Sequence, residues 1–252
     1  LLKLSGVYFV GIFHSHGEGV VMLSQTVRKW WGPLDGVQNY VADSIPQGAR
    51  VLEIGPGIAP FRRATHLFDR EFYWDVLPEG ILRENIYTGD AEGSLPFPDK
   101  YFDFVYCRHV VEDLNNPFTL LKEMSRIGKA GYVETPSVMV EMCRGVDGKG
   151  APWRGYHHDN WFVGNSSGKL IFVRKFPTVE YLLDFDEDKY ESVISNYQLY
   201  WNTYFMWDGR IDFEYINLNP TSVEYLNSIT DLATNGLRSA NDFNHRLSAV
   251  HA

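Results

Sequence analysis

The stretch Val51-Leu52-Glu53-Ile54-Gly55-Pro56-Gly57-Ile58-Ala59-Pro60 places an acid two residues before a glycine turn. An apolar run feeding such a turn reads as a strand entering a ligand loop, and two ligand chemistries compete for it. A dinucleotide site uses G-x-G-x-x-G, whose third glycine lets helix and strand pack closely. Here the third position is Pro60, and Glu53 would repel a pyrophosphate. Arg62 and Arg63 come after the loop, where a helix would turn them away. A ligand with a cationic end and no phosphate suits the loop better, and S-adenosylmethionine carries a sulfonium and an ammonium. Asp75, at the end of the next apolar run, can accept both hydroxyls of an adenosine ribose. That contact would serve NAD equally, so the discriminating residues are Glu53 and Pro60.

Three further groups carry chemistry. His109, Glu112 and Asp113 follow the run YFDFVYC. If a helix begins there, spacings of three and four put them on one face, and each residue type can bind a divalent metal. The competing reading is that Glu112 and Asp113 cap or solubilise that helix. The second group is Trp153-Arg154-Gly155-Tyr156-His157-His158-Asp159-Asn160-Trp161. Adjacent histidines on an extended segment point to opposite sides, so His157 and His158 are not expected to chelate one ion. One of them suits a general base near neutral pH, with Asp159 orienting its neighbour. The flanking Trp and Tyr suit the apolar face of a sugar or an aromatic ring. The alternative is a loop that packs its aromatics and leaves both histidines exposed. His14 and His16 in FHSHGEG share a strand face but have no third ligand, and read as a polar loop or a lid.

These residues need elements to hold them. Ala49–Ile54 reads as a strand buried on both faces of a parallel sheet. A helix is expected after Pro60, then strands at Phe72–Val76, Tyr101–Tyr106 and Gly131–Thr135, with a helix over Asn115–Ile127. Strands alternating with helices indicate a parallel α/β sheet. Upstream, 22–31 and 35–45 read as helices. Downstream the pattern turns antiparallel: 161–163 and 170–173 flank GNSSGK, and 203–207 and 210–216 flank Asp208-Gly209, a strong hairpin signal. A helix is expected at about 188–200. The last thirty residues read as helix broken near Asn235-Gly236.

Composition narrows the function classes. The chain has 252 residues, 23 Lys+Arg against 32 Asp+Glu, and a net charge of −9. That sign disfavours nucleic acid, which is bound through basic surface, and equally disfavours anionic lipid. Cys107 and Cys143 form neither a disulfide framework nor a zinc signature, which points to a reducing, cytoplasmic setting. The apolar N-terminus, LLKLSGVYFVGIF, is shorter than the about 20 residues a membrane span needs. The chain opens on Leu1, which fits a trimmed chain or one domain of a larger polypeptide.

With VLEIGPG, the acid in YWDV, then GDAEGSLPFPDKYFDFVYCRHVVEDL and NPFTLLKEMSRI, the sequence resembles the class I S-adenosylmethionine-dependent methyltransferases, in the branch with small-molecule and sugar methyltransferases. The resemblance runs from about 49 to 137. It implies a Rossmann-like, seven-stranded, mostly parallel sheet flanked by helices, with the last strand antiparallel. The hairpin after the fifth strand is an extra insertion. It implies Glu53, Gly55, Pro56 and Gly57 around the methionine end, Asp75 on the ribose, Asp90 and Ala91 at the adenine, and Arg108 beside the cofactor. Ala59 and Pro60 depart from the commoner glycine-rich loop. His-x-x-Glu-Asp at 109–113 looks like the Glu-x-x-Glu-His metal stretch of some quinone-pathway O-methyltransferases, with two of three positions changed. Taken singly, Gly55 and Gly57 suit a plain tight turn, Asp75 a helix cap and Asp90 a turn.

The reading is a single methyltransferase domain over 1–252: 1–48 as cover, 49–137 as cofactor-binding core, and 138–252 as acceptor side. It methylates a hydroxyl of a small molecule or glycan, first a sugar hydroxyl, and releases S-adenosylhomocysteine. An alcohol is a weak nucleophile, so the reaction asks for a base or a metal. The base candidates are His157, His158 and His109. The alternatives are a phenol methyltransferase using a divalent metal on His109, Glu112 and Asp113, a non-catalytic module of the same fold, and a nucleotide-dependent oxidoreductase.

Overall fold

The computed structural model describes residues 34–72, 77–148, 151–182 and 187–250. The apolar N-terminus, the helix expected at 22–31, His14 and His16, and Asp75 lie outside the described residues. Five α-helices are described: α1 Asp35–Ser44, α2 Pro117–Ile127, α3 Val138–Glu141, α4 Glu187–Asn196 and α5 Val223–Val250. The strands are β1 Val51–Ile54, β2 His66–Asp69, β3 Ile86–Thr88, β4 Phe102–Arg108, β5 Gly128–Pro136, β6 Trp161–Ser166, β7 Lys169–Arg174, β8 Asn202–Asp208 and β9 Phe213–Ile216.

The central sheet has the order β3-β2-β1-β4-β5-β8. Its first five strands are parallel, and β8 runs antiparallel to β5 from Ala130↔Asp208 to Pro136↔Asn202. This is the expected Rossmann-like layout with a reversed edge strand, built from six described strands rather than seven. The order reverses between β1 and β4, so the ligand crevice of an open α/β sheet belongs at the carboxyl ends of those two strands. β1 is buried at all four positions. On one face α2 presents Leu120, Leu121, Met124 and Ile127 to Leu52, Val105 and Val133. Each such side chain contributes about 1.5–3 kcal/mol relative to exposure. Pro117, with φ preset for a helix, opens α2 at its first turn. On the other face Val37 and Val41 of α1 and Phe243 of α5 cover Val51, Phe104 and Tyr132.

Several expectations are corrected. No helix follows Pro60: the link from β1 to β2 spans only 55–65 and is all turns. Its side chains are spent individually instead. Phe61 stacks on Tyr106 with centroids 4.2 Å apart. Arg63 donates to the Ala42, Ile45 and Pro46 carbonyls at the end of α1. A strand therefore forms early, at His66–Asp69, and most of the strand expected at 72–76 lies outside the described residues. The 161–173 hairpin forms as expected, turning at Ser167 and Gly168, both with positive φ. Asp208-Gly209 does not make a hairpin of long strands. After one bridge, Asp208↔Arg210, the chain crosses to pair β9 parallel with β7 in a separate sheet β6-β7-β9. Ile211, buried and bonded through its N–H to Ser125 Oγ at 2.9 Å, holds that crossing. The helix α5 runs unbroken through Asn235 and Gly236. Its buried stripe, Tyr225, Ile229, Leu232, Ala233, Ala240 and Phe243, outweighs the about 1 kcal/mol a helical glycine costs.

Candidate active site

The glycine loop leaves β1 at the switch point. Gly55 has φ +70°, and its N–H donates to the Phe68 carbonyl at 2.9 Å. A Cβ there would lie 2.3 Å from Val110 Cγ2, so the loop closes directly on the segment after β4. Gly57 has φ +56° with open space around it. Glu53 is 4% exposed, and its Oε2 accepts the Phe61 N–H at 2.7 Å. With Gly55, Pro56, Gln38, Tyr106 and Arg108 it lines a cavity of about 250 Å³. Burial pushes the Glu53 carboxyl up to about 8, against the opposing pull of the Phe61 N–H and Arg108. A carboxyl in that state becomes a full anion when a cation is seated beside it.

Arg108 is fixed from behind. Its Nε donates to Glu134 Oε1 at 3.0 Å, and Glu134 also accepts from Tyr132 Oη at 2.5 Å and Asn202 Nδ2 at 2.7 Å. Glu134 is the one acid of β5, near the strand's carboxyl end, and that position was the signal for it in the sequence. The acid at the end of β2 is Asp69, partly buried, whose Oδ1 accepts the Arg70 N–H at 2.6 Å. Asp90 follows β3 in a turn, accepting the Glu92 N–H at 2.9 Å and lying 3.9 Å from Arg70. Ala91 packs on the core beside it. Thus Glu53, Gly55, Pro56 and Arg108 share one cavity, while Asp90 and Ala91 lie at the far strand ends.

Past β4 the chain turns at His109, in the left-handed region with φ +52°. No helix starts here: 111–113 are turns, and α2 begins at Pro117. His109 Nδ1 lies 3.1 Å from Glu112 Oε1. Burial, then the charge of Arg108, lowers the imidazole to about 4, so it is neutral at physiological pH. Asp113 does not join them. Among the described residues the convergent triads are Asp113–His158–Asp159 and Asp147–His157–His158.

Three segments meet to make this cluster. The Asn160 N–H donates to the Glu112 carbonyl at 2.7 Å, Asn160 Nδ2 to the Asp113 carbonyl at 2.6 Å, and Trp161 Nε1 to the Leu114 carbonyl at 2.7 Å. These bonds fasten 160–161 to 112–114. Gly155, at φ +61°, lies so close to α3 that a Cβ would come 2.6 Å from Glu141 Cα. Glu141 is buried and pairs with Lys175, whose Nζ also donates to the Tyr156 carbonyl at 2.8 Å. The histidines are in a turn, not an extended segment, so their rings meet edge to face with centroids 5.2 Å apart. His157 Nδ1 is hydrogen-bonded to Asp147 Oδ2, which also accepts from Trp153 Nε1 at 3.0 Å. So Asp147, hidden in a glycine-rich loop, orients His157. Asp159 sits beside its neighbour His158, Oδ1 to Nε2 3.5 Å. Burial, then Glu141, Glu112 and Asp113, pushes the Asp159 carboxyl up to about 12. Trp153 packs edge-on against His157, and Tyr156 lies beside His158.

Residues 52–133 match a family described as a methyltransferase domain. Among curated proteins, none matches this chain significantly. Among solved structures, an S-adenosylmethionine-dependent methyltransferase from Archaeoglobus fulgidus is 29% identical, over 40% of this chain and 52% of that one, at a TM-score of 0.33. The YcgJ protein of Bacillus subtilis is 19% identical over 40% and 50%, at 0.32. An S-adenosylmethionine-dependent methyltransferase from Thermotoga maritima is 24% identical over 40% and 50%, at 0.30. This chain therefore spans about half the length of these solved chains. Over residues 52–133 the chain is similar to methyltransferase domains, and the mostly parallel sheet those residues help to build has the Rossmann-like layout expected of the class I S-adenosylmethionine-dependent methyltransferases.

Proposed function

We propose that the chain binds S-adenosylmethionine at the carboxyl ends of β1, β2 and β4 and methylates a hydroxyl of a small molecule or glycan, in first place a sugar. The observation that carries this is the buried Glu53 carboxyl at the mouth of the Gly55–Gly57 loop. It suits a cationic ligand and opposes a phosphate. Asp69, at the end of β2, takes the ribose role read from the sequence at Asp75. Asp90 and Ala91 flank the adenine side.

The cofactor supplies an activated methyl group bonded to a sulfonium. Held by Glu53, the Gly55–Gly57 loop and Arg108, it would give that methyl to an acceptor oxygen, the new carbon–oxygen bond replacing the carbon–sulfur bond and S-adenosylhomocysteine being the leaving product. The oxygen's proton goes to a histidine. His157 fits best, because Asp147 fixes one ring nitrogen and leaves Nε2 for proton transfer. His109 is a weaker base, since its pKa sits at about 4. His158 stands between two carboxylates, Asp113 and Asp159. The net charge of −9 supports an acceptor other than nucleic acid or anionic membrane. Among the described residues no helix is long and apolar enough to cross a membrane. Cys107 and Cys143 are buried thiols, which supports a reducing, cytoplasmic compartment. Residues 1–252 are read as one methyltransferase domain, on its own or within a larger polypeptide, with 138–252 facing the acceptor.

A second reading has one observation in its favour. The cavity of about 250 Å³ at Glu53 is smaller than the about 300–1,000 Å³ usual for such ligands. A non-catalytic module of this fold would have no need for more. Calorimetric titration with S-adenosylhomocysteine, with NAD as the comparison, separates the readings. Binding of the first alone supports the methyltransferase. Binding of neither supports the module, and binding of NAD alone overturns the loop assignment.

A further inference from the structure

The geometry points to a divalent transition-metal site made by Asp113, His158 and Asp159. These residues come from two segments, the turn after β4 and the loop before β6. Their ligand atoms all lie within 4.8 Å of one another. His158 Nε2 is 3.7 Å from Asp113 Oδ1 and 3.5 Å from Asp159 Oδ1. An ion about 2.0–2.2 Å from each ligand atom separates neighbouring ligands by about 3–3.5 Å. These two distances are close to that spacing, and an ion would draw the remaining pair, Asp113 and Asp159, in from a separation within 4.8 Å.

The carboxylates have unmet bonding capacity. Asp113 Oδ1 and Asp159 Oδ2 are buried oxygens without a hydrogen-bond partner among the described residues. The Asp159 side chain is 1% exposed. Glu112 Oε2, from the same turn as Asp113, is a third such oxygen. The Asp159 carboxyl shares a hydrogen bond with Glu141; native proteins pair buried polar atoms almost without exception, so the unpartnered oxygens that remain in this cluster of acids call for a cation. The nearby cation does not supply it. Lys175 pairs with Glu141, and no Lys or Arg lies within 4 Å of the Glu112, Asp113 or Asp159 carboxyls among the described residues.

Two carboxylates and one imidazole suit a first-row divalent ion such as Mn²⁺ or Zn²⁺. Three protein ligands leave coordination positions open, and an ion there would acidify an acceptor hydroxyl next to His157. The second triad, Asp147–His157–His158, shares His158 but is the weaker site. Its Asp147 oxygen already accepts from His157 and Trp153.

The test is metal binding by the full chain, read apart from turnover. After EDTA treatment and dialysis, Mn²⁺ is titrated by calorimetry and by loss of the free-ion EPR signal, with Zn²⁺ in parallel. One ion per chain is expected. His158→Ala and Asp159→Asn should each weaken binding by on the order of tenfold or more. Asp147→Asn should leave it unchanged. Circular dichroism checks that each variant is folded, and His158, half exposed, is the substitution least able to disturb the fold. Absence of binding by the folded wild type overturns the site, as does equal binding by the His158→Ala and Asp113→Asn variants. Loss in Asp147→Asn with retention in Asp113→Asn would move the ion to the other triad and overturn the assignment. Because the readout is the ion itself, these results stand whether or not S-adenosylhomocysteine binds.

Discussion

The two halves of the molecule treat buried charge in opposite ways. Around β1, β4 and β5 every buried acid is answered: Glu53 by the Phe61 N–H, and Glu134 by Arg108, Tyr132 and Asn202. Around the 109–113 turn and the 156–160 loop, buried carboxylate oxygens stand unanswered. A satisfied network fixes geometry before any ligand arrives. An unsatisfied one awaits its ligand, and leaving it so costs stability. The first half is thus built as a preorganised cradle and the second as a site completed by what it binds.

The sharpest way to break this contrast is at Glu134. Glu134→Ala strips Arg108 of its partner in a largely buried setting. The expected loss is about 3–5 kcal/mol, measured by urea unfolding. A loss below about 1 kcal/mol would mean that the cradle is not held together by this network.

Next in size is the pH response of Glu53. Its pKa is about 8 in the folded protein, against an ordinary 4.5. Between those values the folded protein keeps a proton that the unfolded chain has released. Stability therefore falls as pH rises from about 5 to 8, by a few kcal/mol. Glu53→Gln should flatten that slope in thermal unfolding across the same range. A cationic ligand needs the ionised form, so S-adenosylhomocysteine, with its ammonium, should bind with release of a proton below pH 8. An identical slope in both proteins would place the proton elsewhere.

In the other half, His157→Ala should lower turnover about a hundredfold with cofactor affinity nearly unchanged. Asp147→Asn should reproduce part of that loss, since it removes only the group that orients the ring. Loss of cofactor binding in the His157 variant would instead give the loop a structural role.

How legible each half was in the sequence follows the same divide. β1, β4 and β5 read clearly because strands buried on both faces are continuous apolar runs. Glu53, Gly55 and Arg108 could be read because each lies on or next to such a run. β2 escaped because it is four residues long with His66 and Asp69 at its ends, while Phe72-Tyr73-Trp74 looked more strand-like. The second half is assembled from 109–113, 141, 147, 156–160 and 175, and no local spacing ties such distant segments together. The histidine pair was visible, but its convergence depended on a turn that the local pattern did not announce. Asp147 sits in a glycine-rich stretch with no periodicity to mark it.

The smallest predicted effect on stability discriminates most finely. Gly55 and Gly57 both have positive φ, yet their surroundings differ: Gly55 abuts Val110, while Gly57 faces open space. Gly55→Ala must therefore displace Val110 and disturb the fold locally. Gly57→Ala meets nothing, and its cost is the left-handed backbone of an L-residue, about 1–2 kcal/mol. If glycine at 57 serves only the turn, Gly57→Ala lowers the melting temperature by a few degrees and leaves S-adenosylhomocysteine affinity alone. If it lets the backbone approach the ligand, as a cradle requires, affinity falls at least tenfold for the same small loss of stability. The second outcome is expected, because open space beside a glycine on a ligand loop is space a Cβ would take from the ligand.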